Sequence, residues 1–65
     1  MRYHIESADP IINGAILRLR FNVNKGDFLD FDNMTNRFVV NKVVHRFDPA
    51  GDYIKTVLVL GREPS

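Results

Sequence analysis

The sequence predicts an all-β fold: a small, strongly bent antiparallel sheet of four to five strands closing into an SH3-like barrel, with one short helical turn near residues 9–13. Three observations carry this. Apolar and polar residues alternate over several short segments, which is the period of a strand and not of a helix. The four glycines stand singly, three of them, Gly14, Gly26 and Gly51, beside turn-forming residues. A chain of 65 residues can bury only one core, so residues 1–65 read as a single β-barrel domain.

Taken in order, Arg2 to Glu6 alternates with Tyr3 and Ile5 on one face. Asp9-Pro10-Ile11-Ile12-Asn13-Gly14 reads as a capped helical turn. Asp9 can accept backbone N–H bonds, Pro10 suits a first-turn position and Gly14 permits a left-handed exit. Ile11 and Ile12 then plug one end of the core. From Ala15 to Val23 every odd position is apolar, and the even positions from 18 onward are polar. That pattern predicts a half-buried strand with Leu17, Leu19, Phe21 and Val23 inward.

Asn24-Lys25-Gly26-Asp27 is a turn, Phe28 to Phe31 a short strand, and Asp32 to Asn36 a polar connection. Over Arg37 to Phe47 the inward-facing apolar parity changes, from Phe38 and Val40 to Val43 and Phe47, with both phenylalanines assigned to the core. A β-bulge near Asn41-Lys42 reconciles the two halves and bends the strand. Asp48-Pro49-Ala50-Gly51-Asp52 has the composition of a hairpin turn capped by the Asp48 side chain. Tyr53 to Leu60 is apolar on both parities, as in a central strand or one covered by a partner. Residues 61–65 read as a polar tail. An OB-like barrel ranks second, because it usually needs a longer chain and a helix between strands.

Composition narrows the function classes. A hydrophobic content of 45% with 26% charged residues is globular, and the absence of cysteine excludes disulfides and cysteine-based zinc sites. The net charge of +1 supplies no strong global field. Residues 27–36 carry three acids and no base, whereas 37–47 carry the bases Arg37, Lys42 and Arg46 and no acid, which suits two paired strands. Arg2, His4 and Glu6 interrupt any leader-like apolar stretch, and the longest apolar run, Val57 to Leu60, is far short of a membrane span. A soluble, cytoplasmic protein is expected, one that a virion or secretion assembly could incorporate.

His45, with Asp48 and Asp52 behind it, is the constellation closest to a catalytic one. A catalytic histidine needs a nucleophile or an orienting acid, and zinc needs about four ligands. Only His4 offers a second imidazole, and both aspartates already have a role in the turn. Asp27, Asp30, Asp32 and Asn33 fail the calcium-loop pattern, because Met34 and Thr35 stand where an acid and a glycine are required. With no phosphate-binding glycine loop and only Ser7 and Ser65 as serines, no enzymatic activity, metal or cofactor is expected. Candidate residues for a protein interface are His45, Tyr53, Val57 and Val59. A nucleic-acid-binding barrel would instead use Arg18, Arg20, Arg2 and Lys42, with Tyr3, Phe28 and Tyr53 as stacking platforms.

Read as a pattern, the second half is Phe38-x-Val40-x-x-Val43-x-His45-x-Phe47-x-x-x-Gly51-x-Tyr53-x-x-x-Val57-x-Val59, preceded by Gly26-Asp27-x-Leu29-x-Phe31. Residues 26–60 thereby resemble the small β-barrel segments of contractile-tail hub and late-control proteins of bacteriophages, and the related spikes of secretion systems. Members of that family are several times longer and carry further domains. The resemblance implies a scaffolding barrel of phage or mobile-element origin with no catalytic residue to carry over. It also implies that His45 lines a hub or packs at an interface. The leading expectation is a non-enzymatic assembly module whose partner is protein, either itself or a larger structure. A nucleic-acid-binding barrel and a small inhibitor or immunity protein are the alternatives.

Overall fold

The computed structural model describes residues 1–32 and 34–63; Asn33 in the polar connection, and Pro64 and Ser65 in the tail, lie outside them. Five strands follow in chain order: β1 (Arg2–Ser7), β2 (Ile16–Arg18), β3 (Phe28–Asp30), β4 (Arg37–Phe47) and β5 (Tyr53–Arg62). They form one curled sheet in the order β2-β1-β5-β4-β3. No helix occurs among the described residues.

The sheet is mixed, not wholly antiparallel, because β5 lies between β4 and β1 and runs parallel to β1, with Ile5 opposite Leu58. It is also open. β2 and β3 end the strand order and do not pair, so the result is a half-barrel and not the closed SH3-like barrel expected. The connection between these two strands does part of the work of closure. Leu19 N–H bonds to Met1 O, Val23 N–H to Tyr3 Oη, and Gly26 N–H to Val40 O. This segment runs over the concave face and buries Val23.

One face of the sheet builds the core. Tyr3 and Ile5 of β1, Phe38 and Val40 of β4, and Leu58 and Leu60 of β5 are buried there with Ile12 and Val23. Phe31 closes one end edge-on to Phe38, at 5.8 Å between ring centroids. The parity change in β4 is resolved as the sequence predicts. Val40 pairs with Leu60 and Lys42 with Val59, which leaves Asn41 as the extra residue of a bulge. Val43 therefore returns to the core face. A second register shift sets Arg46 against Lys55 and Phe47 against Tyr53, so Ile54 is unpaired.

The turns follow their chemistry. Asp48 Oδ1 accepts the N–H groups of Ala50 and Asp52, each at 2.9 Å, and Gly51 takes φ 92°. Asp27 Oδ2 accepts the Asn24 N–H, with Gly26 at φ 93°. Asp9 caps its segment through the Ile11 N–H, but residues 10–14 form consecutive turns and no helix, since the chain must reverse at once into β2. Buried Asp9 is held from the other side by Arg62, at 3.3 Å.

Several side-chain placements differ from expectation. Ile12 plugs the core, while Ile11 projects into solvent. The alternating segment 15–23 pairs only over Ile16–Arg18, after which the chain leaves β1 to cross the sheet. Leu17, Leu19 and Val23 still point inward, but Phe21 lies on the outside of that crossing and is 63% exposed. Phe47 is 57% exposed, because it stands beyond the end of β1, where among the described residues no element lies over the sheet. The tail is shorter than expected: β5 continues to Arg62, opposite Phe38, and Glu63 N–H bonds to Arg37 O.

The burial pattern sets the stability of substitutions. Leu58→Ala, at a fully buried position on the central strand, should cost about 2–5 kcal/mol in urea denaturation. Ile54→Ala, at an exposed and unpaired position, should change stability by less than about 0.5 kcal/mol.

Candidate functional site

Two features mark the distal half of the β4–β5 hairpin, an open strand edge and a polar cluster. The first is backbone. β3 pairs with β4 only over Arg37–Val39, and the turn at Asp27 bonds to Val40. From Lys42 to Phe47 the outer edge of β4 has no strand beside it and makes no backbone bond among the described residues. Beside this edge lies a groove of about 670 Å³, whose lining includes Tyr3, Asn22, Val23, Lys42, Val43 and His45.

The second feature is a polar cluster near the turn end of the hairpin. His45 and Thr56 are cross-strand partners, with Nδ1 3.0 Å from Oγ1. The shift at Ile54 turns Tyr53 onto the same face, where its hydroxyl lies 2.7 Å from Thr56 Oγ1. Tyr53 also packs edge-on against Phe47, at 5.9 Å. Thr56 thus links the two strands through one hydroxyl, which can donate to the imidazole while accepting from the phenol.

An imidazole within reach of a hydroxyl has the spacing of a base and its nucleophile. Here Thr56 is fully buried, so its oxygen cannot meet a substrate carbonyl. Asp48 gives its Oδ1 to the turn and orients no imidazole. Among the described residues no group of three or more His, Cys, Asp or Glu is placed to hold a metal.

The candidate interface residues fall on two faces. His45 and Tyr53 share the concave side, whereas Val57 and Val59 point to the back. His45 is exposed at its edge and not in the core. Val57 is buried on the back face by its row neighbours His4 and Val44, and Val59 sits between Glu6 and Lys42. Both parities of β5 are apolar because it is the central strand, without closure of a barrel.

The basic candidates also separate. Arg2 and Arg18 are cross-strand partners on the back face. Lys42 shares that face beside Val59, and Arg20 lies beyond the end of β2. Of the expected stacking platforms, Phe28 and Tyr53 are exposed, but Phe28 lies under the Arg37 guanidinium, at 5.9 Å. Tyr3 is buried, because its ring fills the core and its hydroxyl holds Val23. Lys55 and Arg46 were not among the candidate site residues, since only the register places them beside Arg2 and Arg18.

No protein-family model, curated protein or solved structure matches this chain.

The shared hydroxyl makes a specific energetic prediction. His45→Ala and Tyr53→Phe should be non-additive by about 0.5–1 kcal/mol in a double-mutant cycle read by denaturation. The coupling should vanish in a Thr56→Val background, where the two side chains have no common partner.

Proposed function

We propose that this domain is a non-enzymatic interaction module that docks on a protein assembly by accepting an extended strand at the free edge of β4. The observation that carries this reading is the unpaired edge Lys42–Phe47, running beside an apolar-based groove. An unpaired edge presents N–H and C=O groups ready for another chain, and strand addition draws affinity from those bonds and specificity from alternate side chains. Phe47, Tyr53 and Ile54, exposed at the end of the hairpin, add apolar area beside it.

The edge also selects its partner. Lys42 and Arg46 project from one side of it, and Val43 and His45 from the groove side. In a two-fold pairing of two copies centred on Val44, Lys42 of one copy would oppose Arg46 of the other, an unfavourable arrangement. A strand of a different protein, with acids on one face and small apolar residues on the other, suits it better. The resemblance of residues 26–60 to tail-hub and late-control barrels supports the same reading, a scaffold component of a phage-type or secretion-type assembly. Under it, His45 and Tyr53 serve the interface and do no chemistry.

A capped peptide of alternating Glu and Val, added to isotopically labelled protein, tests this by amide NMR. The expected result is shift changes and slowed amide exchange confined to Lys42–Phe47 and the groove residues, with no response to a Lys/Val peptide. An equal response at β2, the opposite edge of the sheet, or none at either edge, would overturn the proposal.

A further inference from the structure

The register of four strands aligns four bases. Arg18 of β2 pairs with Arg2 of β1. Arg2 and Lys55 each precede the paired residues Tyr3 and Thr56 on parallel strands, and both line one shallow cleft. Lys55 in turn pairs with Arg46 of β4. The row Arg18–Arg2–Lys55–Arg46 therefore crosses the back face perpendicular to the strands. With strands about 4.8 Å apart, the four positions span about 14 Å.

Like charges directly opposite one another on a sheet are destabilising. Here four stand in succession, and none forms an ion pair among the described residues, whose two salt bridges are Arg37–Glu63 and Arg62–Asp9. The next row on this face, Ile16–His4–Val57–Val44, carries no acid either. At the cleft between Arg2 and Lys55 stand the exposed Tyr53 and Ile54. A line of bases with an accessible aromatic beside it is the arrangement that tracks a phosphate backbone while a base stacks.

We infer that the back face binds single-stranded nucleic acid, with Arg18, Arg2, Lys55 and Arg46 on consecutive phosphates and Tyr53, reached at the hairpin end of the cleft, as the stacking platform. The linear, single-file order of the charges favours a linear polyanion over a planar lipid surface. The aromatic at the cleft favours nucleic acid over an acidic peptide. The four bases lie on the opposite face from the groove at β4; Tyr53 alone is shared, its hydroxyl bonded to Thr56 on the concave side while the residue also lines the cleft, and the binding test does not depend on strand addition.

Fluorescence anisotropy with a labelled oligothymidylate and its RNA counterpart, across a salt series, is the test. Four neutralised phosphates predict a slope of log K against log salt of about −2.8. The double variant Arg2→Gln/Lys55→Gln should flatten it by about 1.4. Tyr53→Leu should weaken binding by about fivefold or more with the slope unchanged. Should the double variant fail to fold, Arg18→Gln alone, at an exposed edge position, should flatten the slope by about 0.7. The inference is overturned by absence of binding at low salt, or by a slope that folded variants leave unchanged. Tighter binding of phosphatidylserine vesicles or polyglutamate than of the oligonucleotide would also overturn it.

Discussion

The structure depends on β5 occupying the centre of a single sheet. Its pairing with β1 on one side and β4 on the other fixes which side chains share a face, and every other placement follows. Leu58 and Leu60 point into the concavity, where Tyr3, Ile5, Phe38 and Val40 meet them. Val57 and Val59 point the other way, where no second layer lies among the described residues. A sheet ordinarily buries a face against another layer. Here the crossing segment between β2 and β3 serves as that layer, held by bonds to Met1, Tyr3 and Val40. With so thin a cover the core is one-sided, and the distal hairpin extends past it.

Two irregularities in the β4–β5 ladder convert this frame into surfaces. The bulge at Asn41 brings Val43 back onto the core face, so β4 can continue beyond the point where β3 stops. The shift at Ile54 brings Tyr53 to the side of Thr56 and His45, and their shared hydrogen bonds tie the hairpin strands together beyond the core. Without those bonds the arm would rely on ladder bonds, the Asp48 turn, the Val44–Val57 pair and the Phe47–Tyr53 contact. An ordered arm with one open edge is what strand addition requires. The back of the same frame, where the register sets four bases in line, is a separate surface with a different chemistry.

Much of this was legible wherever the determinant is local. The bounds of β4, its parity slip, the Asp48 cap, and the glycines of the turns at Gly26 and Gly51 all follow from residues a few positions apart. What was not legible depends on distant pairing. Alternation placed Phe21 and Phe47 inward, because parity assigns a face and cannot say whether anything lies over it. Parallel pairing of β1 with β5 and the failure of β2 to meet β3 have no local signature. For the same reason Arg18, Arg2, Lys55 and Arg46 are scattered in the sequence and adjacent only in the fold. His45 had the right parity, but the end of the core stopped short of it.

Native-state amide hydrogen exchange of the isolated protein tests the central claim, an open sheet organised around β5 with a free β4 edge, most directly. The account predicts strongest protection over Thr56–Leu60 and at β1, with alternate amides of Lys42–Phe47 exchanging close to the unprotected rate. Uniform protection through Lys42–Phe47 would contradict it, because it would mean that the edge is already paired by barrel closure or by a second copy.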